Sequence, residues 1–301
     1  MSFGPTATED QSRPLAASPT SDDQERASTR SQRILRWSAY GLLFVVAVLS
    51  LMPFSWVLLA SFDSDATIFV KAPDSWTLQN YIAVFRSAGG VRLITNSLIY
   101  AGGATILLII ATTMAGYALS RYYFPGRRAL MLGVLMIRII PPTATIVPLY
   151  VLATDLGLLD TYHGLILILA ALEVPLGVWI MKGFFDTVPI EIEEAAWIDG
   201  ASRLQAAFRI VLPLAGPGVG AAALIGFMGA WNQFLVPLVL ISDPAKIPIS
   251  IGLFRAWVAY TNVEWGLLAA LSVIYIIPAM VFYIVARRVL QQSLAGGLAG
   301  T

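Results

Sequence analysis

Two charged side chains stand inside apolar stretches long enough to cross a bilayer. Arg138 lies within about 129–152 and Glu173 within about 163–185. A charge at the centre of a membrane span costs about 3 kcal/mol, so each must pair or face water. An arginine and a carboxylate on neighbouring spans can hold two helices together as an ion pair, or they can contact a solute or a gate. Asn232 and Gln233, in a later apolar stretch, carry amides that could hydrogen-bond the hydroxyl groups of a solute. Tyr150, Trp179 and Trp231 offer flat faces for stacking. The same aromatics also serve as packing or membrane-interface residues.

A second group of charges occupies EEAAWIDGASRLQAAFRIVLP, residues 193–213, between two apolar runs. Glu193, Glu194, Asp199, Arg203 and Arg209 exclude this segment from lipid. Pro189 suits a helix start, where a missing N–H costs nothing. Glu191, Glu193 and Glu194 then lie at the positive end of the helix dipole. Gly200 can end the helix in the left-handed region. From about Ser202, Leu204, Phe208 and Val211 recur at helical spacing up to Pro213. The expected product is a helix, a sharp turn and a second helix in water, with Ala195 and Ala196 small enough for a partner to approach closely.

Several chemistries are excluded. The chain has no cysteine, hence no disulfide, no thiolate nucleophile and no thiolate metal site. The single histidine, His163, has no neighbours at metal-ligand spacing, and no metal site is expected. A phosphate-binding loop needs Gly-Lys-Ser/Thr after a glycine-rich turn. Lys71, Lys182 and Lys246 follow Val70, Met181 and Ala245, so this chain cannot hydrolyse ATP itself. A net charge of +1 leaves no nucleic-acid footprint.

The elements that must position these residues are membrane helices. The chain is 57% hydrophobic and 12% charged, against about 25% charged in soluble domains. Spans of membrane length are expected near 37–62, 95–119, 129–152, 163–185, 214–241 and 266–286, giving an all-α integral membrane protein with six transmembrane helices. Pro141–Pro142 interrupts the third, so that helix should face protein or a water-lined path rather than lipid. With both termini cytoplasmic, only Lys71, Arg86, Arg92, Lys246 and Arg255 lie outside, as the positive-inside rule requires. The 193–213 loop is then cytoplasmic.

Residues 1–34 are polar and expected to be disordered. They lack the apolar core of a cleavable signal, which makes the first span an uncleaved anchor. The expected organisation is a tail over 1–34, a first span and external segment over 35–92, a core over 93–288 containing the loop at 186–213, and a cytoplasmic tail over 289–301. Within the external segment, WTLQNYIAVF has the spacing of a short interfacial helix.

Glu194-Ala195-Ala196, three residues, Gly200, nine residues, Ile210, one residue, and Leu212-Pro213 match the loop signature of ABC importer permeases. FPG at 124–126, IVPLY at 146–150, GLLDTY at 157–162 and WNQF at 231–234 resemble the carbohydrate-uptake branch, the maltose- and trehalose-type permeases of prokaryotic inner membranes. The resemblance covers about residues 36–290. It implies the type I importer transmembrane fold, a pathway shared with a second permease, two ATPase subunits holding ATP and magnesium, and an external solute-binding protein. No cofactor is implied on this chain. The loop becomes a coupling helix docked on the ATPase through Glu194, Ala195, Ala196, Asp199 and Gly200. Arg138, Tyr150, Glu173, Asn232 and Gln233 become candidates for the carbohydrate pathway. The ending QQSLAGGLAGT lacks the basic tail of many relatives, and the contacts of such a tail are not carried over. The same family also imports glycerol phosphodiesters and polyols. A proton- or sodium-driven transporter with Glu173 as carrier is the competing reading; it explains the membrane charges but not the loop.

Overall fold

The computed structural model describes residues 21–69, 71–86, 88–258 and 263–298. The tail expected over 1–20 lies outside the described residues. The chain divides into two compact units, 1–55 and 56–301.

In the first unit the described residues form one helix, α1 (Ser21–Ser61), whose end from Trp56 belongs to the second unit. The helix begins at Ser21, within the 1–34 stretch expected to be a disordered tail. Extending an existing helix is far cheaper than nucleating one, and this stretch contains no Gly or Pro to stop it. Its apolar part, Arg36–Ser61, has a mean hydropathy of 2.5 over a window in which no residue is buried.

The second unit is helical, and the only β pairing among its described residues is a single bridge between Asp63 and Trp76. In chain order come α2 (Gln79–Arg86), a short helix within the stretch whose spacing suggests one, and the long α3 (Ala88–Arg121). Then follow α4 (Arg127–Ile137), α5 (Pro142–Asp155) and α6 (Tyr162–Asp186). The loop contributes α7 (Ile190–Ile198) and α8 (Arg203–Ala206), a π-helical turn at Ala207–Val211, and α9 (Leu212–Leu214). The chain finishes with α10 (Gly216–Trp231), α11 (Leu235–Leu240), α12 (Ile249–Trp257) and α13 (Trp265–Leu298). Four segments are long and apolar enough to cross a membrane, or up to six if each of two bent pairs, α4 with α5 and Arg203–Leu214 with α10, counts as one span.

Small residues let the core helices approach closely. α3 and α6 run side by side in the same direction, with Gly103 against Ile166, Thr112 against Gly177 and Gly116 against Met181. A Cβ on Gly116 would lie 2.7 Å from the Met181 Cβ and 2.9 Å from the Lys182 backbone nitrogen. Without a hydrophobic drive between helices in lipid, such backbone proximity is what holds them. α10 returns between them, with Gly218 on Phe184, Gly226 on Leu108 and Gly229 on Glu173. α13 closes the core by stacking Phe282 on Phe227 at 4.1 Å and Tyr275 on Trp231 at 5.5 Å.

Two expected spans are broken, and proline explains both. α4 and α5 meet at 96° across residues 138–141. Pro141 and Pro142 offer no N–H to the carbonyls four residues earlier, while Pro142 is well placed to start α5. The apolar run at 214–241 is likewise not one helix: α10 stops at Trp231 and α11 starts at Leu235. Pro237 cannot bond the Gln233 carbonyl, which instead accepts the Ser250 hydroxyl at 3.1 Å.

A polar knot ties the far ends of α3 and α6 to the segment before α12. Asn96 donates to the carbonyls of Ala245 and Ile247 and accepts from the Tyr162 hydroxyl, while Tyr100 donates to the Lys246 carbonyl. Asp160, at a positive φ of 53°, accepts the N–H groups of Ser242 and Asp243. The Ala245 N–H and then the Lys246 ammonium hold the Asp243 carboxyl below its ordinary range.

Candidate functional site

The loop folds as its sequence punctuation dictates. Pro189 is the residue before α7, Asp199 ends the helix, and Gly200 takes φ +89°. Ser202 caps α8 through a reciprocal pair with Gln205, its hydroxyl accepting from the Gln205 N–H at 3.3 Å. Arg203 lies over the Trp197 ring, 5.5 Å from its centre, bracing the turn.

Which face of α7 points outward differs in part from expectation. Glu194, Ala195, Asp199 and Gly200 are exposed, but Ala196 is only 7% exposed and packs inward. Its inclusion among docking residues is therefore corrected: Ala196 allows α7 to sit tightly on its own core. The outward face instead carries Ile198, 87% exposed, with Leu204 and Phe208 also exposed further along the loop. Sequence reasoning missed Ile198; the signal was a large aliphatic residue in a charged loop, one turn after Glu194.

Glu193 does not stay in water at the helix start. It is 1% exposed and forms an ion pair with the end of α3. Arg121 Nε donates to Glu193 Oε2 at 2.8 Å, and the Tyr117 hydroxyl donates to Oε1. The rest of the guanidinium donates to the carbonyls of Phe185 at 3.1 Å and Val188 at 3.0 Å, and to the Ser120 hydroxyl. Ser120 and Lys182 in turn donate to Asp186. This network joins α3, the end of α6 and α7.

The second group gathers at the α4–α5 break. Arg138 Nη1 donates to Glu173 Oε2 at 2.7 Å, with side chains 40% and 12% exposed respectively. The two charges line a cavity of about 410 Å³ with Thr145, Ala171, Pro175 and Gln233 among its walls. Pro175 lies inside α6 and cannot bond the Ala171 carbonyl, so that wall carries a carbonyl without its usual helical partner. Gln233 is thus brought to the charged pair.

The remaining candidates are placed elsewhere. Asn232 is exposed, but its amide donates to the Met228 carbonyl at 2.9 Å and accepts the Tyr275 hydroxyl at 3.0 Å. Tyr150 is half-exposed and is not in the cavity wall. Trp231 is buried between Phe227 and Tyr275, its indole N–H on the Tyr275 carbonyl, and cannot stack on a solute. Trp179 is exposed on a different surface, near Met131 and Lys182.

Residues 108–295 match the family of binding-protein-dependent transport system inner membrane components, a stretch that contains both sites. The chain belongs to this family. It is 34% identical over 277 residues to the diacetylchitobiose uptake system permease protein of Streptomyces coelicolor, covering 90% of this chain and 91% of that protein. It is 32% identical over 260 residues to the trehalose/maltose transport system permease protein of Thermococcus litoralis, covering 84% and 92%. The sulfoquinovosyl glycerol transport system permease protein of Agrobacterium fabrum is 33% identical over 278 residues, covering 90% and 95%. Among solved structures, the crystal structure of a bacterial ABC transporter involved in import of the acidic polysaccharide alginate superposes with a TM-score of 0.75 at 25% identity, covering 86% of this chain and 97% of that one. The fold is the type I ABC importer transmembrane fold, and the chain is a multi-pass inner membrane permease.

Proposed function

We propose that this chain is one permease half of an ATP-driven carbohydrate importer. It shares a pathway with a second permease, rests on two ATPase subunits that hold ATP and magnesium, and receives solute from an external binding protein. Both termini and the 190–213 loop face the cytoplasm. The observation that carries this reading is the outward face of α7, with Glu194, Ala195, Asp199 and Ile198 exposed beside a left-handed Gly200. A charged and apolar face outside the spans is exposed among the described residues, and its carboxylates suit charge-assisted bonds from an ATPase. The solute side is the cavity at the α4–α5 break. Its arginine is matched by Glu173, so it presents donors and acceptors without an excess of either charge. That chemistry suits a hydroxyl-rich neutral ligand, and the relatives' printed substrates are mostly saccharides.

Reconstitution tests the reading. Proteoliposomes holding this permease, its partner permease, the ATPase and the binding protein should take up one or more of a panel of oligosaccharides only with ATP. This chain alone should take up none. Uptake by the chain alone, driven by a proton or sodium gradient, would overturn the proposal.

A further inference from the structure

We infer that Arg121, Glu193 and Tyr117 form a strut through which displacement of α7 reaches α3 and α6 together. The inference rests on the reading of α7 as the ATPase-docking helix. A helix of nine residues between two turns buries only Glu193 and Ala196 of its side chains. Pushed by a partner, it would tilt in place unless something stiff joined it to the spans. Both oxygens of Glu193 are held, Oε1 by the Tyr117 hydroxyl and Oε2 by Arg121 Nε, which leaves the carboxylate no free rotation. The guanidinium is a rigid planar fork, unlike a lysine ammonium on its flexible stem. Its other arms take the carbonyls of Phe185, in the last turn of α6, and of Val188, just beyond that helix.

The geometry also places the strut where force can spread. Tyr117 is one residue from Gly116, the point at which α3 touches the backbone of α6 at Lys182. Ala196 supplies the apolar contact on the same inward side of α7. Glu193 and Glu194 are consecutive, one buried on the core and one turned outward, so load arriving at the docking face meets the strut within one residue. None of these three side chains lines the cavity at the α4–α5 break. They act as positioning residues.

The test uses the complete importer in proteoliposomes, reading assembly, ATP hydrolysis and solute transported per ATP. Glu193→Gln and Arg121→Lys are the principal variants, and Tyr117→Phe is the mildest because it keeps the ring packed on Phe185. Removing one partner of such a buried network is expected to lower solute transported per ATP by about fivefold or more, with hydrolysis continuing. Tyr117→Phe should lower it by a smaller factor. The double variant Arg121→Met/Glu193→Met should recover thermal stability without recovering the ratio, which a purely structural pair would restore. An assembled complex with an unchanged ratio in Glu193→Gln and Tyr117→Phe would overturn the strut. Because the chain has no cysteine, Ala195→Cys gives a unique cross-linking position against the ATPase. Failure of that cross-link in an otherwise unaltered chain would remove the docking face and the strut with it; a cross-link with an unchanged ratio would remove the strut alone.

Discussion

Among the described residues, two arginine–glutamate pairs stand at nearly the same separation, 2.8 Å at the loop end and 2.7 Å at the α4–α5 break. Their surroundings differ completely. Glu193 is buried and Arg121 largely so, and their remaining donors and acceptors are taken up by the hydroxyls of Tyr117 and Ser120 and the carbonyls of Phe185 and Val188. Arg138 keeps a large part of its surface open, and Glu173 lies beside Gly229 at the wall of a cavity. Ion-pair distance alone therefore says little about role. What decides it is whether the rest of the guanidinium is satisfied by protein or left facing space that a ligand can fill.

The sharpest way to break this comparison is to remove one partner of the buried pair. Arg121→Met leaves Glu193 charged and alone in the core, at a cost of about 3–5 kcal/mol, read as a loss of thermal stability in detergent. A stability within experimental error of the unaltered protein would contradict the burial argument. Next in size is Gly200→Val. No atom lies within 4 Å of where its Cβ would go, so the penalty is purely conformational, from a β-branched residue held at positive φ. It amounts to about 1–3 kcal/mol confined to the loop. Membrane insertion and the spans should survive while ATP-driven transport falls, which transport and hydrolysis assays on the assembled complex would separate.

For the open pair, Arg138→Met or Glu173→Gln should each cost stability only about 1 kcal/mol, because solvent screens a half-exposed arginine. Each should change the half-saturating solute concentration by about fivefold. A double-mutant cycle on melting temperature checks the first figure, and uptake kinetics check the second. The smallest effect belongs to Asp243 at the far-end knot. Its folded pKa is lowered from 3.8, so its contribution to stability is present above that value and is lost as the pH falls below it. Asp243→Asn should remove a slight part of the acid sensitivity below about pH 4 and leave melting at neutral pH nearly unchanged.

How much of this was legible in the sequence follows from the range of each interaction. The turn at Gly200, the second helix starting near Ser202 and the interruption at Pro141–Pro142 depend on residues within a few positions, and all three stand in the structure as read. The Arg138–Glu173 pair was open between a structural and a solute role; the structure brings the two side chains together at the rim of a cavity. The Arg121–Glu193 pair joins residues 72 apart in the chain, and no local pattern says that the end of α3 returns to the start of α7. Ala196 and Glu193 were read as exposed because the loop is polar as a whole. Their burial depends on the shape of the surface beneath them. Trp231 looked like a stacking platform but is enclosed by α13, again a long-range contact. The break after Trp231 was foreseeable, since Pro237 removes a donor in the middle of the apolar run; hydropathy alone hid it.

In the proposed importer the buried pair transmits drive and the open pair contacts solute, and one paired measurement addresses that division directly. Solute transported per ATP and half-saturating solute concentration should be determined side by side for Glu193→Gln and Glu173→Gln in the reconstituted importer. The expected result is crossed: Glu193→Gln lowers the ratio and leaves the half-saturating concentration unchanged, while Glu173→Gln changes that concentration and leaves the ratio unchanged. If both variants moved the same quantity by the same factor, the separation of drive at the loop end from solute contact at the α4–α5 break would be wrong.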